Sequence, residues 1–248
     1  MTNPDLTLVL LEVAVDTVPD AIAAATAGAH RIELCANLAE GGTTPSAGAM
    51  RAAVARVDVP VFVMIRPRGG DFLYNAVEID VMLRDIELAK QCGIHGIVSG
   101  ALQPNGTIDE EGTEALIEAA APLPFTFHRA FDQSRNLTEA LDTCLGLGVT
   151  RILTSGGRAT ALEGAEVLAE LGRRTGGRLK LVAGGGVRAP HLAALATRSG
   201  VRELHLGPRR EATSQMKASG SVGAWRAWQG LAVDEVAAAV AAADDLAR

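Results

Sequence analysis

The chain is poor in sulfur, poor in lysine and has no long apolar run. Its three cysteines, Cys35, Cys92 and Cys144, stand at irregular spacing in 248 residues. They make no CxxC pair and leave an odd thiol, which excludes a disulfide scaffold and points to a reducing compartment. The lysines are Lys90, Lys180 and Lys217, and none ends an apolar run, so a Schiff-base aldolase would lack its nucleophile. No apolar run approaches the roughly 18 residues of a membrane span. No basic start leads into an apolar stretch, so no signal peptide is read, and a soluble, intracellular protein is expected. The formal net charge of -6 is spread along the chain. That argues against nucleic acid or an anionic membrane as a principal partner.

What is present is apolar material in a regular arrangement, at 48% of the residues. Eight short apolar runs recur: Leu8 to Ala14, His30 to Cys35, Val61 to Arg66, His95 to Gly100, Phe125 to His128, Arg151 to Ser155, Lys180 to Ala183 and Arg202 to Leu206. Between them lie alanine- and leucine-rich stretches long enough for one helix each, which makes the strands parallel and puts the helices outside. The fold class expected is a single-domain α/β (β/α)8 barrel over residues 1–248, close to the roughly 250 residues typical of one. In such barrels chemistry sits at the carboxyl ends of the strands. Those ends carry Glu12, Glu33, Arg66, Arg68, His128, Arg129, Ser155 and His205.

Local chemistry marks the helix boundaries. Asp16 or Thr17 caps a helix with Pro19 in its first turn, which stops at Gly28, and Thr44-Pro45-Ser46 opens the next in the same way. Asn136 and Ala189-Pro190 start two more, and Val233 to Leu246 closes the ring. The stretch from Gly207 to Gly230, with Trp225 and Trp228, resists assignment: it reads as a packed surface loop, with a lid or a subunit contact as the alternatives.

Strand alternation selects the inward faces. Arg31, Glu33 and Cys35 oppose Ile32 and Leu34; Thr126 and His128 oppose Phe125 and Phe127; Met64 and Arg66, Glu12, and Glu203 with His205 face inward by the same count. A carboxylate pair, an arginine and two histidines therefore converge on the upper barrel. As chemistry, Glu33 is the expected base and His128 the acid, with Glu12 raising one carboxyl pKa. Arg66 and Arg68 would stabilise an enolate or bind a carboxylate. That is an isomerase or lyase acting on a small phosphorylated or polyhydroxylated substrate, with divalent-metal assistance through Glu12, Glu33 and His128 as a variant. The alternatives are a non-catalytic binding protein for a small anion, and a charge-compensated layer that fills the barrel.

Gly184, Gly185 and Gly186 after the seventh run offer backbone N–H groups to an anion at the mouth, and Gly207 with Arg209 and Arg210 after the eighth adds to this. Ser155-Gly156-Gly157 can add donors, or can be a capped turn.

Five segments in series, RIELCANLAEGGTTPS (Arg31 to Ser46), IRPRGGDFLY (Ile65 to Tyr74), FHRAFD (Phe127 to Asp132), RILTSGG (Arg151 to Gly157) and AGGGVR (Ala183 to Arg188), resemble the CutC family from about Leu11 to His205. The resemblance implies a cytoplasmic TIM barrel, a homodimer, and a link by name to copper homeostasis and copper(I) binding. Some relatives carry cysteines after the first-strand glutamate, where this chain has Ala14 and Val15. A copper(I) site would then draw on Cys35, His128 and His205, with Met64 in reach, since copper(I) prefers soft sulfur and accepts imidazole. Cys92 and Cys144 read as small buried hydrophobes.

Overall fold

Alternation along the strands sorts the side chains into two cores. Val9, Leu11, Val13 and Val15, then Ile32 and Leu34, Val61 and Val63, Phe125 and Phe127, and Leu204 and Leu206 join one continuous apolar cluster under the helices. On the opposite faces Cys35, Phe62, Met64 and Val98 make a separate small cluster inside the barrel. The structure, a computed structural model, describes residues 8–213 and 227–246. Its strands are β1 (Leu10–Val15), β2 (Arg31–Leu34), β3 (Val61–Met64), β4 (Gly96–Ser99), β5 (Phe125–Phe127), β6 (Arg151–Thr154), β7 (Lys180–Gly184) and β8 (Glu203–Leu206). They form a closed parallel barrel in chain order, with β8 returning to β1. The expected (β/α)8 architecture is therefore present.

The helices are α1 (Val18–Thr26), α2 (Ala47–Val54), α3 (Ala76–Gln91), α4 (Glu110–Ala120), α5 (Leu137–Gly146), α6 (Ala165–Thr175), α7 (Ala189–Ser199) and α8 (Val233–Leu246). Thr17 caps α1 by accepting from the Asp20 N–H at 3.1 Å, and Gly28 follows it with φ 97. Ser46 caps α2 through the Ala49 N–H, so Pro45 lies before the cap rather than in the first turn. Asn75 and Glu78 form a capping box on α3, and Asn136 caps α5. Each helix buries an apolar stripe on the sheet, as Met82, Ile86 and Ala89 do from α3. Such burial stabilises by roughly 1.5–3 kcal/mol for each large side chain.

The described parts of the Gly207 to Gly230 stretch are not a plain surface loop. They form an antiparallel ribbon of β9 (Arg209–Thr213) and β10 (Ala227–Leu231), in which Trp228 opposes Ala212. The ribbon stands at the mouth between β8 and α8. Trp225 and Lys217 lie outside the described residues. No helix among the described residues is long and apolar enough to cross a membrane.

Candidate functional site

Register brings the inward charges together. Glu12 of β1 has Arg31 of β2 as its Cα partner on one side and His205 of β8 on the other. One carboxylate oxygen accepts from Arg31 Nε, and the other lies 2.8 Å from His205 Nδ1. Arg31 also donates to Glu203 at 2.8 Å, and Arg151 Nη2 lies 2.6 Å from Glu203 and 3.6 Å from Glu12. Both guanidinium groups lie over the Phe62 ring, at 4.9 and 5.1 Å from its centroid. Arg31, Arg151 and Glu203 open their strands, so this alternating-charge plate forms the lower level of the barrel interior. Sequence reading placed Arg31 and Glu203 inward without giving them a role. The signal was there in charged residues at the inward starts of β2, β6 and β8.

One level higher, Glu33 Oε2 lies 3.8 Å from His205 Nε2. Donor atoms of Glu12, Glu33 and His205 all fall within 4.8 Å of one another. Glu33 has Ala14 as its Cα partner, and that small side chain leaves space above it. Glu33 Oε1 is buried without a hydrogen-bond partner, while Oε2 accepts from the Cys35 thiol at 3.6 Å.

The electrostatics separate the two glutamates. Burial opposes charge on Glu12, but the His205 hydrogen bond and the Arg31 guanidinium outweigh it and hold its pKa down at about 2. Glu33 lacks an arginine in contact, so burial dominates, Glu12 adds repulsion, and its pKa is raised even with His205 nearby. Burial also opposes charge on His205, yet Glu33 and the Glu12 hydrogen bond raise its pKa above that of an ordinary imidazole. Burial and the Glu33 charge push the Cys35 thiol well above its usual value, so it stays protonated.

Other expected site residues are committed elsewhere. Arg66 does not pair with Glu33: it donates to the carbonyls of Glu40 at 2.7 Å, Gly42 at 2.9 Å and Gly70 at 2.7 Å, tying the loops after β2 and β3 together. Arg68 binds Asp71 and the Leu73 carbonyl within its own loop and Glu78 in the first turn of α3. His128 is not part of the Glu12, Glu33 and His205 cluster. Its Nδ1 accepts from the Ala130 N–H at 3.3 Å, and burial with the Arg66 charge lowers its pKa to about 3. A neutral imidazole at pH 7 does not fit the expected protonated acid. The three metal candidates Cys35, His128 and His205 are likewise not gathered, because His128 is turned to cap the short 3-10 helix Arg129–Gln133.

The loop after β6 is filled from within. Asp132 accepts from Thr154 Oγ1, Ser155 N and Gly157 N, and from Arg129 Nε at 2.8 Å. Ser155-Gly156-Gly157 is thus a turn capped by an internal carboxylate. Arg129 bonds Ser155 Oγ at 3.0 Å beside Gly185. Gly185 and Gly186 take φ values of 108 and 65, and the Gly185 carbonyl accepts from Ala161. Gly184 ends β7 against Leu153 and His205. Asp132 was missed because it lies on the 3-10 helix, where strand alternation gives no direction.

Above His205 opens a cleft of about 770 Å³, lined by Ala14, Asp16, Thr17, Asn37, Gly207, Arg209, Trp228 and their neighbours. Gly207 faces Ala14, and a methyl added there would stand 3.9 Å from the Ala14 side chain. Arg209 donates to Asp16 at 3.1 Å and to the Gln229 carbonyl.

The CutC family profile matches residues 9–209. The human copper homeostasis protein cutC homolog is 48% identical over 208 residues, covering 84% of this chain and 76% of that protein. A CutC family protein of Xanthomonas campestris is 46% identical over 208 residues, covering 84% and 87%. A crystal structure of the CutC protein of Streptococcus agalactiae superposes with a TM-score of 0.76 at 35% identity, over 80% of this chain and 98% of that one. The profile spans most of the chain and the barrel carries it; this protein belongs to the CutC family.

Proposed function

We propose that the chain binds a transition-metal ion at the barrel mouth, with Glu33 and His205 as ligands and Glu12 behind the imidazole, in the copper-homeostasis role that its relatives are named for. The carrying observation is the line Glu12, His205, Glu33. One imidazole nitrogen is fixed on a carboxylate at 2.8 Å, and the other faces a carboxylate with a free oxygen. A metal-binding imidazole usually donates its other ring N–H to a carboxylate or carbonyl that fixes its orientation. The donor chemistry bears on the ion. Copper(I) asks for thiolate or thioether, whereas two carboxylates and an imidazole suit copper(II) or zinc. Among the described residues Cys35 is the sulfur in contact with these groups, through Glu33, so the donors are mainly oxygen and nitrogen and the reading favours a divalent ion. The three cysteines are unpaired, which supports a cytoplasmic, reducing location.

Metal-free protein titrated with copper(II), zinc(II) and, against a competing chelator, copper(I) tests the reading. One equivalent of divalent ion is expected, lost in Glu33→Gln and in His205→Ala and retained in Cys35→Ser. Stoichiometric copper(I) that survives His205→Ala and disappears in Cys35→Ser would overturn it.

A second reading uses the same groups for proton transfer. Glu33, with its raised pKa and unpartnered oxygen, and His205 beside it form an acid–base pair of the kind an isomerase or lyase needs.

A further inference from the structure

The cleft over His205 is far larger than an ion requires. A metal with a few waters needs on the order of 30 Å³ for each water, against about 770 Å³ here. Volumes of roughly 300–1,000 Å³ are those of sites for small organic molecules. The cleft reaches the His205 imidazole, with Glu12 and Glu33 buried behind it, so whatever fills it meets that ring.

Its lining defines the occupant. Arg209 is the cation at the wall, but its charge is matched by Asp16 at 3.1 Å, and Glu12 and Glu33 lie below. Among the described lining residues a phosphate would find no uncompensated arginine. Beyond the Nη1 bonds to Asp16 and Gln229, Arg209 keeps the Nη2 amino group, which is buried without a hydrogen-bond partner. Asn37 and Gln229, which offer both donors and acceptors, line the same cleft with Thr17. Hydroxyl groups also donate and accept, and mixed amide, hydroxyl and carboxylate linings match them. Asn37 holds a left-handed backbone, φ 50, and is the non-glycine residue with positive φ among the described residues. Backbone in that region concentrates at ligand-binding loops. Finally, Trp228 is 55% exposed and lines the cleft, with Leu38 and Ala39 on the opposite loop. An exposed indole offers a flat apolar face to the C–H side of a sugar or polyol.

We propose that this cleft is a binding site for a small neutral polyhydroxylated compound, with its C–H face on Trp228 and its oxygens toward Arg209, Asn37 and the His205 imidazole. The site stands on the cavity and its lining and does not depend on a bound metal.

Trp228 is its own reporter. In a Trp225→Phe background the intrinsic fluorescence of the full chain comes from Trp228, and polyols are optically silent. Metal-free protein kept in chelator would be titrated with ribitol, D-xylose, D-glucose and myo-inositol, and separately with inorganic phosphate. A saturable change with at least one polyol is expected, with little response to phosphate. Arg209→Gln and Asn37→Gly should each weaken it several-fold without moving the thermal midpoint by more than a few degrees. Should either variant unfold, ligand-observed NMR on Thr17→Val and Gln229→Ala gives the same reading. Saturation by phosphate alone, no saturable response to any of the polyols, or responses unchanged in all the variants would overturn the proposal. Failure of the wild type to bind a stoichiometric divalent ion, with polyol binding intact, would sink the metal reading and leave this one standing.

Discussion

Glu12 and His205 sit side by side across the closure of the barrel, with Oε1 of the carboxylate 2.8 Å from Nδ1 of the imidazole. The contact joins residues 193 positions apart in the chain and makes the closing β8–β1 seam part of the site. Because Arg31 holds the other oxygen, Glu12 is a paired carboxylate that orients the His205 imidazole, whereas Glu33 Oε1 has no such partner.

The first prediction follows from that asymmetry. Glu12→Gln removes the charge facing Arg31, Arg151 and His205, and breaking a buried pair in this way costs about 3–5 kcal/mol. Glu33→Gln should leave stability unchanged or raise it, since burial already disfavours the Glu33 charge. Urea denaturation of the two variants measures the difference, and equal losses in both would contradict it.

Arg66 should behave as a loop clamp. Arg66→Met strands three carbonyls and is expected to cost about 3 kcal/mol, given about 1–3 kcal/mol for a buried polar group left unsatisfied. Its effect should add to that of Glu33→Gln within about 0.5 kcal/mol in a double-mutant cycle, because the two side chains are not paired. A larger coupling would instead point to a Glu33–Arg66 ion pair, as in the alternative of a charge-compensated layer filling the barrel.

Acid should weaken the fold through Glu12. Its folded pKa of about 2 lies below the ordinary carboxylate value of 4.5, so its contribution is complete above pH 4.5. It is lost as the pH falls from there toward 2. The size is about 3 kcal/mol at 1.36 kcal/mol per pKa unit. Glu33 runs the other way: with a raised folded pKa, its contribution is present at low pH and lost as the pH rises through that value. Urea midpoints against pH should therefore fall below pH 4.5 in the wild type and flatten over that range in Glu12→Gln.

Asp132 is expected to matter more than its place on a short 3-10 helix implies. Asp132→Ala frees the N–H groups of Ser155 and Gly157 and leaves Arg129 without its carboxylate, so a loss of about 2–4 kcal/mol is expected. Arg129→Ala, whose side chain is 42% exposed, should cost about 1 kcal/mol or less. Thermal melts that rank the two in the opposite order would show that the loop does not depend on the carboxylate.

The sequence by itself determined the eight strands, the opening of α1 at Asp16 or Thr17 and of α5 at Asn136, and the inward faces that carry Glu12, Glu33 and His205. These are local properties: a period of two selects a face, and a cap is read over three or four residues. Tertiary structure decided which inward charges meet. Barrel closure places Glu12 level with Arg31 and His205 and sets Glu33 one level higher opposite Ala14, and no local period encodes that register. Arg66 and His128 face inward as alternation requires, yet loop carbonyls 24 and 26 residues away capture the first and a neighbouring N–H fixes the second. A buried ionised or polar group takes the partners that satisfy it, and those partners were brought near by the fold rather than by the spacing of the chain.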